Sequence, residues 1–343
     1  MKSGKKQILN FLFIFGMLVI VLAVGLSGNE FSDAWAALTS MAPLWLALCV
    51  VAWFAYLLTD AWPIHYFLKK QNYRISFPYA ISIALTGIYY SNITPGASGG
   101  QPMQVYYLKK RDVPIGVGTS AVTVKFFCYQ LMVIVISTIA WLLDPGFVSR
   151  QVGGSMWILV IGYICNSVSV TFVLLMAVNK RLVRFFIQLF IKAGCKLRIC
   201  KDAEAATKKW EGTLATFHAS VMLVRERPKE LICQLAISTL QYLTMILVVV
   251  CVYFGFGLSG HSVGQLMTLG MMLYVSAAYT PLPGASGAQE GVFALYFKGV
   301  FPESHLFVAL LIWRFFTYYI SLIVGGFSSV YSGTSTHKKK VEA

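Results

Sequence analysis

The segment Pro95-Gly96-Ala97-Ser98-Gly99-Gly100-Gln101 returns with one change as Pro283-Gly284-Ala285-Ser286-Gly287-Ala288-Gln289. Each copy closes an apolar stretch, residues 77–93 in the first case and 266–279 in the second, and each is followed by a short leg, residues 101–110 and 289–300. Proline and glycine break a helix at these points. A helical leg of about ten residues rises only ~15 Å, half of the ~30 Å hydrocarbon layer. Each motif therefore reads as the tip of a re-entrant helical hairpin and not as a join between two full spans.

The rest of the chain fits a bilayer setting. Of its 343 residues 57% are hydrophobic and 12% charged, against roughly 25% charged in a soluble domain. Runs long enough to cross the hydrocarbon cover residues 8–26, 42–58, 115–143, 156–178, 231–256 and 306–331, six candidate spans in all. The first run follows Lys2, Lys5 and Lys6, is too long for the apolar core of a signal peptide and has no small-residue cleavage site after it, so it reads as an uncleaved helix. The seven cysteines are odd in number and lie mostly in apolar runs or in the basic linker; they form neither a disulfide framework nor a zinc spacing.

Lys and Arg collect on one side of the layer that these runs define. Counting each hairpin as an even number of crossings puts 24 of the 28 basic residues on the same face, within residues 1–7, 69–74, 109–111, 179–229 and 338–340. Cytoplasmic loops carry that excess, so the expected location is the cytoplasmic membrane, multi-pass, with both termini cytoplasmic. An odd number of crossings at either hairpin would scatter the basic loops over both faces.

A second match strengthens the repeat. Lys125-Phe126-Phe127-Cys128-Tyr129-Gln130 corresponds to Arg314-Phe315-Phe316-Thr317-Tyr318-Tyr319; Pro95 and Pro283 stand 188 residues apart, Lys125 and Arg314 189. Two motifs at nearly one offset indicate a duplicated unit of span, span, hairpin, span. The charge pattern gives the two units opposite orientation, so the expected fold is an all-α polytopic membrane protein built as an inverted repeat, each unit with three full spans and one re-entrant hairpin. On this division residues 1–178 hold the first half and the start of the second, with the first unit at about 8–143. Residues 179–229 form a basic cytoplasmic linker, 230–333 the remainder of the second half, and 334–343 a basic tail. The linker sets Lys180, Arg184, Gln188, Lys192 and Lys196 at a spacing of four, with Leu182, Phe185, Phe186, Leu189 and Phe190 elsewhere around the helix. That is the pattern of a helix lying on anionic headgroups, and it points to the membrane and not to nucleic acid as the partner of the positive charge.

The candidate site residues follow from the tips. A half-helix beginning near mid-membrane turns the positive end of its dipole and its uncovered N–H groups inward, which favours an anion and above all a phosphate. Pro95, Gly96 and Gly99 shape the first tip and Pro283, Gly284 and Gly287 the second; Ser98, Ser286, Gln101 and Gln289 add side-chain donors. Small residues that let hairpin legs pack closely are the plainer reading of the same serines. Lys125 and Arg314 lie about ten residues into their spans, where a lone charge costs on the order of 3 kcal/mol or more. They are expected to neutralise a lipid phosphate, with Arg314 able to grip it bidentately; the competing reading is a structural ion pair with Glu290 or Asp60. Glu290 has Pro102 as its counterpart in the first half and so breaks the symmetry, as a group for an amine, a coupling proton or Arg314. Asp60, with His65 one turn beyond, reads as a helix-end or snorkelling group. No nucleophile elbow, phosphate-binding loop of ATPases, metal spacing or paired carboxylates appear, so no catalytic residue, metal or cofactor is expected.

With these residues in place, the chain resembles the lysylphosphatidylglycerol synthase transmembrane family, the flippase-like membrane domain of the multiple peptide resistance factor. The resemblance is carried by Asn92 through Pro102 with Lys125-Phe126-Phe127, and by Tyr279 through Gly291 with Arg314-Phe315-Phe316, and it covers nearly the whole chain. It implies translocation of aminoacylated phosphatidylglycerol, while a separate cytosolic domain of the full-length factor transfers lysine from lysyl-tRNA. Because the chain stops at Ala343, the expectation is a lipid flippase without the synthase domain. Two alternatives stand beside it: a phosphatidylglycerol lysyltransferase conferring resistance to cationic peptides, and a non-transporting partner that presents lipid to a separately encoded synthase. A homo-oligomer stays open.

Overall fold

The computed structural model describes residues 39–179 and 226–329, with 36, 181–185, 216–219 and 221–222 besides. The expected first span at 8–26, most of the amphipathic linker and the basic tail lie outside the described residues.

Among the described residues the protein is all-α. No strand forms, and only an isolated bridge joins Lys298 to Phe301. The helices in chain order are α1 (Pro43–Lys70), α2 (Phe77–Asn92), α3 (Gly100–Lys109), α4 (Ile115–Leu143), α5 (Pro145–Val152), α6 (Met156–Val178), α7 (Pro228–Gly255), α8 (Val263–Ala277), α9 (Ala288–Tyr296) and α10 (Glu303–Arg314). Beyond Arg314 the chain makes a π-turn at Phe315–Tyr319 and stays helical to residue 329. Five helical stretches are long and apolar enough to cross a membrane: α1, α4, α5 with α6, α7, and α10 with its extension. This is an all-α polytopic membrane protein.

Local chemistry sets the ends. Pro43 opens α1, where its missing N–H costs nothing, and Lys69 and Lys70 close it, cations favoured at the carbonyl end of a helix. The sequence places the end of this span at residue 58, but the helix runs on to Lys70. The charge of Asp60, which looks like a boundary, is neutralised inside the fold. Asp144 caps α5, accepting from the N–H of Phe147 at 3.0 Å. Ser262 and Gln265 form a reciprocal capping box at the start of α8.

Among the described helices α1 and α7 pair most extensively, and they run antiparallel. The N–H of Ala42 donates to the Gly255 carbonyl at 3.0 Å at one end, and Lys70 meets Glu230 at 3.6 Å at the other. Around the Gly255 end lies the main core, with Tyr242, Tyr253, Phe293 and Phe297 fully buried.

A helical hairpin forms at each of the two expected places. Helix α2 turns into α3 and α8 into α9 through a 3₁₀ turn, Pro95–Ala97 and Pro283–Ala285 respectively. The legs of the first pack so closely that a Cβ on Gly100 would run into the Ser91 side chain and the carbonyl of Gly87. At the tips the backbone repeats itself: Gly96 and Ala97 have φ of 58° and 55°, Gly284 and Ala285 φ of 61° and 51°. An alanine in the left-handed region costs about 1–2 kcal/mol, and here the same cost recurs at matching places. The two tips touch each other.

Candidate functional site

Where the tips meet, a cavity of about 430 Å³ opens between α1, α2, α4, α7, α8 and the Arg314 segment. Its wall sets polar groups among apolar ones, in an interior where an unpaired polar group is costly. Gln101, Gln104, Gln130, Gln241 and Gln289 contribute amides, and Tyr56, Tyr129, Tyr274, Tyr279 and Tyr318 contribute ring faces or hydroxyls.

Lys125 lies on the cavity wall and is 9% exposed. Its Nζ stands 2.5 Å from Asp60 Oδ2, and the other carboxylate oxygen, Oδ1, accepts from Gln241 Nε2 at 2.7 Å. Asp60 is therefore no helix-end or snorkelling group. It is buried at 5% exposure, because α4 and α7 each bring it a donor.

Arg314 is 2% exposed and engages three acceptors: Nε to Glu290 Oε1 at 2.7 Å, Nη1 to Gln289 Oε1 at 2.5 Å and Nη2 to the carbonyl of Gly284 at 2.9 Å. Its guanidinium also lies over the Tyr318 ring at 4.5 Å. The π-turn starts at the next residue; such turns recur at functional sites. Arg314 thus ties the second tip to α9 from a neighbouring span. The two cations that match in sequence are held differently: Lys125 gives one of its three N–H groups to a carboxylate, whereas three edges of the Arg314 guanidinium are occupied.

Of the residues singled out from sequence, Gly96, Ser98, Gln101, Lys125, Gly284, Gln289 and Arg314 line the cavity. Pro95, Gly99, Pro283, Ser286, Gly287 and Glu290 are not among the lining residues and belong to the tips and the first turn of α9. Several expected donors are already engaged. Ser98 Oγ donates to the Pro95 carbonyl at 2.9 Å, the Gly99 N–H to Thr94 Oγ1 at 2.8 Å, and the Gly287 N–H to Glu290 Oε2 at 2.7 Å. The acid that breaks the symmetry between halves therefore caps α9 and pairs with Arg314 together.

The cavity residues that sequence reasoning missed are neutral ones. Gln130 Nε2 donates to Asn166 Oδ1 at 2.7 Å and to the Tyr279 hydroxyl at 3.0 Å, and Tyr129 donates its hydroxyl to that of Tyr274 at 3.0 Å. Their one signal is the presence of Gln and Tyr within otherwise apolar spans, which by itself does not say which face is inward.

A multi-pass helical protein whose two broken helices meet over a polar, charge-paired cavity is the class defined by this arrangement. The chain belongs to the family described as the lysylphosphatidylglycerol synthase TM region, whose model matches residues 7–325 and so takes in both tips and both cations. It is similar to a UPF0104 membrane protein of Archaeoglobus fulgidus, 24% identical over 269 residues that make up 76% of this chain and 78% of that protein. A UPF0104 membrane protein of Methanothermobacter thermautotrophicus is 32% identical over 108 residues, 31% of this chain and 30% of the relative.

Proposed function

We propose that this chain is a flippase that carries a phosphate-bearing lipid across the cytoplasmic membrane, with aminoacylated phosphatidylglycerol among its candidate cargoes. The observation that carries the reading is the placement of Lys125 on the wall of a polar cavity roofed by two broken-helix tips. A buried lysine is costly and its ammonium has three donors, of which Asp60 takes one. A phosphodiester entering the cavity would compete with Asp60 for this ammonium, while the acyl chains stay in the hydrocarbon. In this reading the hairpins enter from opposite leaflets as an inverted repeat, so that rocking one unit against the other exposes the cavity to each side in turn. Arg314 sets the geometry of the second tip instead of gripping phosphate, and the amides and tyrosines of the wall receive the rest of the headgroup.

The family description names the membrane region of a synthase, and a lipid-presenting role beside a separately encoded synthase is the reading to be separated from transport. The test is reconstitution of the purified chain in vesicles carrying fluorescent phosphatidylglycerol, with a membrane-impermeant quencher reporting the outer leaflet. Transport predicts exchange between leaflets that Lys125→Met abolishes. Lipid that binds at Lys125 without changing leaflet would favour presentation, and exchange unaffected by Lys125→Met would remove the site assignment.

A further inference from the structure

The pair of Lys125 and Asp60 does not stand alone in the membrane. Along one face of α7, at helical spacing, lie Glu230, Gln234, Ser238 and Gln241. Gln234, Ser238 and Gln241 are buried to 2%, 0% and 2% exposure, and each has a side-chain oxygen with no partner: Gln234 Oε1, Ser238 Oγ and Gln241 Oε1. These oxygens follow the α1–α7 seam, because Gln234 Nε2 donates to the Pro63 carbonyl at 3.1 Å and Gln241 Nε2 to Asp60 at 2.7 Å. At its end Glu230 meets Lys70 at 3.6 Å and Arg227 at 3.3 Å, both cations being exposed. From Glu230 to Gln241 the helix rises ~16 Å, about half the hydrocarbon thickness. A row of unsatisfied buried oxygens costs several kcal/mol in a dry interior, and water bridging them is the ordinary remedy.

We infer that Asp60 is a proton-coupling site, reached from the Lys70–Glu230 end through this polar seam, which takes up a proton when Lys125 turns from it to a lipid phosphate and releases it when the lipid leaves. The inference rests on the proposed transport of a phosphate-bearing lipid and adds to it a proton bound together with the lipid. When Lys125 turns to the phosphate, the Asp60 carboxylate is left buried without its counter-cation, an uncompensated charge that a proton removes. A proton passes from water at the Glu230 end to an Asp60 oxygen. When lipid leaves, Lys125 re-pairs with the carboxylate and the proton returns to water.

The groups facing Asp60 leave that part to it. From α4 come Lys125 and the Tyr129 phenol, from α8 the Tyr274 phenol, and from α7 only the Gln241 amide; Tyr56 lies one turn away on α1 itself. From the end of α10 and the π-turn that follows it, Arg314 and Tyr318 reach the same cavity, and the lining residues of α2 carry no titratable group. His65 packs on Phe77 of α2 instead.

Calorimetric titration of the purified chain in maltoside micelles with short-chain phosphatidylglycerol, run in two buffers of different ionisation heat, counts protons taken up per lipid bound. The expected result is uptake approaching one proton, with affinity rising on acidification by up to about tenfold per pH unit. Asp60→Asn should bind without uptake, Asp60→Glu should retain it, and Ser238→Val should slow proton entry in a stopped-flow dye measurement. Lipid binding without proton uptake in the wild-type chain overturns the inference and leaves the transport reading intact, as does uptake that survives in Asp60→Asn. Proton-coupled binding with no exchange between leaflets in vesicles sinks transport and keeps the proton site. Coupled binding of glycerol phosphate but not of lipid keeps the proton site and removes the lipid.

Discussion

Arg314 donates from Nη2 to the main-chain carbonyl of Gly284 at 2.9 Å, so a side chain in the last described span fixes the tip of a hairpin 30 residues earlier. Lysine has one nitrogen where arginine has three, so it cannot hold Glu290, Gln289 and this carbonyl together. Arg314→Lys should therefore fold with a lowered melting temperature and lose most of its lipid exchange. Arg314→Gln leaves Glu290 buried and unpaired and should cost about 3–5 kcal/mol, seen as reduced thermal stability in detergent.

The Lys125–Asp60 pair predicts a rescue. Lys125→Met alone strands a buried carboxylate and Asp60→Leu alone a buried ammonium, each costing on the order of 3–5 kcal/mol. The double variant removes both charges and should recover most of that stability, yet remain without exchange activity. Thermal melts combined with the vesicle assay separate the two effects.

The tips differ in what surrounds their left-handed glycines. A Cβ at Gly96 meets nothing within 4 Å, whereas one at Gly284 runs into the Tyr318 ring. Gly96→Ala should cost only the conformational penalty of about 1–2 kcal/mol. Gly284→Ala adds displacement of Tyr318, and with it the stacking partner of Arg314, so it should destabilise more and impair exchange. Melting temperatures of the two variants, measured side by side, check the order.

Gln130 links Asn166 and Tyr279. Gln130→Leu leaves Asn166 Oδ1 without its donor and should cost about 1–3 kcal/mol, and adding Asn166→Leu should return part of the loss. Double-mutant melts give the coupling.

The broken helices, the five described spans and the two buried cations were legible in the sequence, since apolar runs and Pro-Gly punctuation are local signals. The partners of the cations were not. Asp60 meets Lys125 across 65 residues of chain and only once α1 lies against α4, and its charge, taken as a boundary, hid the last turns of α1. The brace at Arg314 was equally hidden, because one of its acceptors is a main-chain carbonyl that no residue type announces. Glu290 was visible as a break in the repeat, but its two roles, capping α9 and holding Arg314, depend on how the tip folds. The neutral wall of Gln and Tyr needed the inward face of each helix, which nearly uniform apolar spans do not reveal.

In the proposed mechanism lipid moves past two hairpin tips that meet over one cavity. Cysteines placed at Ala97 and Ala285, in a chain otherwise free of cysteine, allow the tips to be joined by a short cleavable thiol crosslinker in reconstituted vesicles. The account predicts that joining them stops exchange of fluorescent phosphatidylglycerol between leaflets and that cleavage restores it. Exchange continuing at the uncrosslinked rate through joined tips would contradict it.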